Sequence, residues 1–239
     1  MLPSSRRSEY LYTHPLTSNR ISLLENKVSQ SADKPSQSPQ ITEMFDRMQA
    51  KLNGFVYPDH ALKFPADTVA NRYARTIAYY RKNEFDRALK DINALIKEEP
   101  NNPYFHELKG QMLFESGRTA ESVAPYARAV ELAPGAGLIR VAYGQSLLSQ
   151  NKYQSAVTQL ERGLKTEKRS PLVHRLLATA YGRLDDQGAS RVHLAEEALL
   201  QNQYDNARRQ AGLATELVGK SHPKWFRLQD ILAVLESQP

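Results

Sequence analysis

One distance constrains this chain more than anything else in it: 34 residues. Ala88, Ser122 and Ala156 recur at that interval, as do Asn83, Gly117 and Asn151, and Pro100 lies the same distance before Pro134. The stretches that carry them are "YYRKNEFDRALKDINALIKEEPNNP" (79–103), "LFESGRTAESVAPYARAVELAPG" (113–135) and "LLSQNKYQSAVTQLERGLKTEKRSP" (147–171). A fixed period of this length marks a stacked array, in which each supersecondary unit buries its apolar face only against its neighbours.

The chemistry of the recurring residues says what the unit is. Gly110 and Gly144 in the first helix of their units, and Ala88 and Ala156 in the second, are small where two helices cross closely. Asn83, Gly117 and Asn151 suit a left-handed turn between the helices of a pair. Pro100 and Pro134 end the second helix, since proline has no N–H for a continuing helix. The period and these small residues resemble the tetratricopeptide repeat, which implies an all-α superhelix of about four to five helix pairs.

The fourth unit opens at "SPLVHRLLATAYGRL" (170–184), and the register then shifts. The next matching small residue, Ala207, follows Ala156 by one and a half periods. The helix near 188–201 is therefore expected to serve twice, closing the fourth unit and pairing with the helix near 204–218. A last helix, "PKWFRLQDILAVLES" (223–237), is expected to cap the stack through Trp225, Leu228, Ile231, Leu232 and Leu235, with Arg227 and Asp230 facing water.

Residues 1–66 read differently from the array at 67–239. "SQSADKPSQSPQ" (29–40) has the composition of a flexible linker. On either side lie two helical patterns. In "LTSNRISLLENKV", Thr17 or Ser18 reads as the cap and Ile21, Leu24 and Val28 share a face. In "ITEMFDRMQAKLNGF", Thr42 reads as the cap, Phe45, Met48 and Leu52 as the apolar stripe, and Gly54 as the stop.

The residues for chemistry are sparse. Without cysteine there is no thiol nucleophile and no thiolate metal site. The six histidines, His14, His60, His106, His174, His193 and His222, show no HExxH spacing, and no Gly-rich phosphate loop, G-x-S-x-G elbow or EF-hand loop is present. His106 and His174 fall at equivalent packing positions, His193 on a mixed helix surface, and His222 in a turn before the last helix. The formal charge of +6 is spread among acidic residues rather than clustered, so no nucleic-acid partner is expected. No apolar run approaches the ~20 residues of a membrane helix.

What remains is a binding face. Counting outward from the packing positions, Tyr73, Tyr80, Arg81, Glu107, Gln111, Gln145, Arg175 and Arg183 are expected on the concave side, where they would meet a partner protein or an extended peptide.

A second resemblance covers nearly the whole chain. "YLYTHPLTSNRI" (10–21), "FDRMQAKLNGFVYP" (45–58) and "ANRYARTIAYYRKNEFDRAL" (70–89) together look like the non-catalytic C-terminal part of metallopeptidase family 48, of the periplasmic BepA type that carries tetratricopeptide repeats. That resemblance implies a zinc-binding HExxH domain preceding this segment, with Met1 at a domain boundary and no hydrolysis by this chain alone. It implies a periplasmic location, with the repeats holding substrates, their own protease domain or the outer-membrane assembly machinery. It also gives His14 a place near the catalytic zinc of the whole protein, as ligand or gate, against the alternative of a structural His-Pro turn. The competing reading is a free-standing repeat adaptor with no protease domain.

Overall fold

The computed structural model describes residues 17–30 and 38–237, with side chains from residue 21 onward in the first helix. Two compact units divide the chain, Met1–Asp46 and Arg47–Pro239. In the first lies α1 (Thr17–Gln30), whose Ile21, Leu24 and Val28 are solvent-exposed. The His-Pro element of the sequence, His14 included, lies outside the described residues.

A long helix, α2 (Pro39–Val56), passes from the first unit into the second, and a single turn, α3 (Pro58–Ala61), follows it. The array is then built from α4 (Val69–Arg81), α5 (Phe85–Glu98), α6 (Pro103–Glu115), α7 (Thr119–Leu132), α8 (Gly137–Ser149), α9 (Tyr153–Leu164), α10 (Pro171–Arg183), α11 (Gln187–Leu200), α12 (Tyr204–Leu217) and α13 (Trp225–Glu236). All regular structure among the described residues is helical. The second unit begins at Arg47, earlier than the residue 67 that marks the start of the repeat pattern.

Local sequence sets the helix ends. Thr68 accepts a hydrogen bond from the Asn71 amide, Asn102 from that of Tyr104, and Asp186 from that of Ala189, each satisfying an N–H that the helix leaves unpaired. Pro103 and Pro171 stand at the first helical position, where a missing N–H costs nothing. At the other ends the chain turns through left-handed residues: Asn83 (φ 63°), Gly117 (φ 81°), Asn151 (φ 56°) and Asp185 (φ 62°) separate the helices of successive pairs.

A fifth such residue, Asn202 (φ 59°), comes only half a period after Asp185. It gives the α11–α12 connection the tight turn used elsewhere within a pair, and α11 packs closely against both α10 and α12. The doubled role expected of this helix is what the fold shows. Finally α13 covers α12 and α11 with Leu228, Ile231 and Leu235 buried. Arg227 is exposed, as expected, and its guanidinium also pairs with the buried carboxylate of Glu196.

Small residues hold the pairs together. A Cβ at Gly110 would stand 2.8 Å from the Tyr126 ring, and one at Gly144 would stand 2.6 Å from the Leu160 side chain. Both distances are inside van der Waals contact, so α6 against α7 and α8 against α9 approach as closely as they do only because no side chain is there. Ala88, Ser122 and Ala156 are fully buried at the corresponding place on the second helices. Ser122 tolerates that burial because its hydroxyl shares a hydrogen bond of 2.6 Å with that of Ser146 in the next unit.

The helix preceding the array departs from its sequence reading. Gly54 is not a stop; α2 runs on to Val56. Gly54 and Ala50 are buried, whereas Met48 and Leu52 are 67% and 63% exposed, and Phe45 is also exposed. The apolar stripe therefore faces outward. The inward face is the small one, since a Cβ at Gly54 would lie 2.7 Å from Ile77 Cβ and 2.8 Å from the Ala74 carbonyl oxygen.

Candidate binding face

The first helices of successive units, α4, α6, α8 and α10, present one continuous side of the array. Its beginning is occupied by the chain itself. The second half of α2 lies across α4 and α6: Arg47 makes two contacts of 2.6 Å with Glu99, and Lys51 Nζ is 2.8 Å from Glu107 Oε2. The Lys51 ammonium also sits 5.8 Å from the Tyr104 ring centre, and Phe55 meets Tyr80 edge to face at 6.2 Å.

This occupancy decides the fate of the residues expected on the concave side. Tyr73 is buried beside Phe105, with ring centres 5.1 Å apart, and its hydroxyl has no hydrogen-bond partner. Burial, with the nearby Glu107 carboxylate, pushes its phenol far above its ordinary range. Tyr80 is buried too, its hydroxyl donating to the Glu115 carboxylate, and desolvation followed by that bond raises its phenol strongly. Neither tyrosine is available to a partner. Glu107 is engaged by Lys51, and Gln111 donates from Nε2 to Glu115 Oε1 at 2.9 Å.

Arg81, at the end of α4, is exposed. Further along, Gln145 is half-buried and Arg183 lies at the surface end of α10. Arg175 also reaches solvent, yet its guanidinium is tied to Glu197 of α11, Nε to Oε1 at 2.6 Å, so it is a structural cation as much as a surface one. Hydrogen bonding to Glu197 raises its already high affinity for its proton.

The most regular feature of this side is a row that the expected residues do not include. Tyr104, Leu138 and Leu172 are the second residues of α6, α8 and α10, and they are 54%, 70% and 52% exposed. Large apolar side chains at the same exposed place in three consecutive units form a row that the packing of the array does not require. The signal was present in the sequence, because the three residues share the 34-residue period.

Among the described residues no three His, Asp or Glu side chains converge to hold a metal ion. No described helix is long and apolar enough to cross a membrane.

Comparison with known proteins places the same repeats on the same helices. Two tetratricopeptide repeat models match, over residues 73–137 and 113–180. The chain is 30% identical over 111 residues to the human tetratricopeptide repeat protein 13, covering 44% of this chain and 13% of that protein. It is 27% identical over 89 residues to the rice DnaJ protein P58IPK homolog A, covering 37% of this chain and 19% of that one. The chain thus spans less than a fifth of either relative. Among solved structures, a MamA crystal structure superposes with a TM-score of 0.58 at 16% identity, over 72% of this chain and 94% of MamA, and the MamA MSR-1 structure does so with 0.55 at 17% identity, over 68% and 98%. At that identity the likeness is one of fold.

Proposed function

We propose that this tetratricopeptide-repeat array is a protein-binding adaptor that takes a segment of a partner protein along its first-helix side, over the part that α2 leaves exposed. The observation that carries the proposal is the exposed row Tyr104, Leu138 and Leu172, with the exposed Arg183 at the opposite end of α10 from Leu172. An apolar row with polar and cationic neighbours suits a helical or extended segment with regularly spaced apolar side chains and some acidic ones. The α2 contact is an internal precedent, since it is itself a helix laid across this side and fixed by oppositely charged pairs.

A photo-crosslinking residue placed at Leu138 or Leu172 tests this directly. It should capture a partner that the same residue at Gln154, exposed on α9, does not. Equal capture at all three positions would refute the assignment.

The finer reading makes the array the recruiting part of a zinc metalloendopeptidase of family 48. It rests on the resemblance carried by residues 10–21, 45–58 and 70–89. With it go a periplasmic location, zinc supplied by a separate catalytic domain, a role in envelope protein quality control with the outer-membrane assembly machinery as a partner, and a role for His14 near that zinc. Finding an in-frame HExxH in the coding sequence upstream of Leu2 would support this reading, and a stop codon there would remove it. Between the two, the adaptor accounts for everything observed on the described residues without a second domain.

A further inference from the structure

The largest surprise lies away from the binding face, where two histidines expected to be unrelated meet. His174 on α10 and His193 on α11 are both buried, and their Nδ1 atoms are 3.1 Å apart. Tyr181 stacks on His193 with ring centres 5.5 Å apart and an interplanar angle of 9°. Two neutral imidazoles satisfy this geometry, since one Nδ1–H donates and the other Nδ1 accepts. A proton on both Nδ1 atoms would set two N–H groups against each other. A proton on His193 Nε2 fares no better, because that atom is buried and has no hydrogen-bond partner.

The surroundings offer no free carboxylate to compensate. From α9, Glu161 accepts from the Tyr181 hydroxyl at 2.7 Å and from Lys224 Nζ at 2.5 Å. From α11, Glu196 is paired with Arg227 of α13, and Glu197 with Arg175 of α10. Lys224, just before α13, lies 5.2 Å from the Tyr181 ring centre. His222 is directed at Asp186 at the start of α11, Nε2 to Oδ1 3.2 Å, where a positive charge would meet a carboxylate. Burial, then the positive charges of Arg227 and Lys224, lower the His174 imidazole to about 4, and burial with Lys224, His174 and Arg227 holds His193 lower still.

We propose that the His174–His193 pair is an acid-sensitive latch: α10, α11 and the C-terminal helix α13 stay closed while both rings are neutral and separate when the pair takes up a proton. The units formed by α4 to α7 are not involved. The sign follows from the free imidazole, which takes its proton near 6.5. Below that value the open form binds protons that the closed form refuses, so closure weakens as pH falls from 6.5 toward 4. At pH 5 a single such histidine shifts the closed-to-open ratio by about 30-fold.

Trp225 is the sole tryptophan of the chain and stands at the start of α13, between Lys224 and Arg227. Its fluorescence, together with hydrogen exchange across the full chain, reads the latch. The expected result is a reversible change between pH 6.5 and 4, with exchange in α10 to α13 accelerated by about 30-fold or more at pH 5, since either ring alone contributes about that factor, beyond the intrinsic effect of pH and with α4 to α6 unchanged. The double substitution His174→Phe with His193→Leu should abolish the step, and His222→Gln should keep it. A step that survives the double substitution, disappears with His222→Gln, or runs through α4 to α6 equally would overturn the proposal. In the unsubstituted protein, an NMR titration showing both rings protonating near 6.5 without any change at α13 would overturn it as well.

Discussion

Arg47 and Glu99, 52 positions apart in the sequence, face each other through two contacts of 2.6 Å that pin the second half of α2 to the end of α5. Glu99 takes a further hydrogen bond from Asn102, and its carboxyl is held below the ordinary range chiefly by the Arg47 bond, against an opposing desolvation effect. Its charged form is what the fold favours. The resulting stability is fully present above pH 4.5 and is lost as pH falls through the depressed folded value. Arg47→Ala should cost about 1 to 2 kcal/mol at neutral pH and shrink the difference in urea unfolding between neutral and strongly acidic solution.

Gly54→Leu should lift α2 from the first-helix side, because a side chain there has only the Ala74 carbonyl and Ile77 to enter. Hydrogen exchange in α4 and iodination of Tyr73 and Tyr80 should both increase. Unchanged protection of these tyrosines would show that something other than α2 covers them. If the same variant also binds partners more tightly, α2 competes with them for this side.

Gly110 and Gly212 should respond to the same substitution in opposite directions. Both lie in helices, where Ala is favoured over Gly by about 1 kcal/mol. At Gly212 a Cβ meets nothing within 4 Å, so Gly212→Ala should raise stability by about 0.5 to 1 kcal/mol. At Gly110 the Cβ meets the Tyr126 ring, and overpacking of about 1 to 3 kcal/mol outweighs the propensity gain. Paired thermal melts decide the matter.

The hydroxyls of Ser122 and Ser146 should behave as a unit. Ser146→Ala takes one partner away from a buried hydroxyl and should cost about 1 to 2 kcal/mol, although Ser122 retains its bond to the Thr119 carbonyl. Replacing both by Ala should cost less than the sum of the two single changes. A double-mutant cycle that came out additive would mean that the bond contributes nothing.

On the binding face, Arg183→Glu should weaken partner association without lowering thermal stability, since Arg183 stands at the surface end of α10. Arg175→Glu should lower both, because it sets a carboxylate beside the buried Glu197 that Arg175 now neutralises. Isothermal titration with an acidic helical peptide, run beside melts, separates the two effects.

What could be read from the residues, and what could not, follows from the range of the interactions. Asn83, Gly117 and Asn151 announce their turns locally, because only the backbone at that residue must adopt a positive φ. Gly110, Gly144 and the alanines announce close helix crossings because the array repeats them. The shift of register after Asp185 was legible from Ala207 for the same reason. By contrast, α2 was read inside out. Its period correctly gave a helix, but the period alone assigns the apolar stripe to the buried side, whereas the face that fits against Ala74 and Ile77 is the one with no bulk at Ala50 and Gly54.

By itself, then, the sequence determined the helical units, their turns, their period and the half-step near the C-terminus, because each of these depends on neighbours within one repeat. Tertiary structure alone decided which side of α2 is buried, that Tyr80 meets Phe55 of α2 while Tyr73 is buried beside Phe105, and that His174 meets His193. Those outcomes depend on the register and approach of separate helices, and small differences in spacing at a glycine or an imidazole fix them where no local pattern reaches.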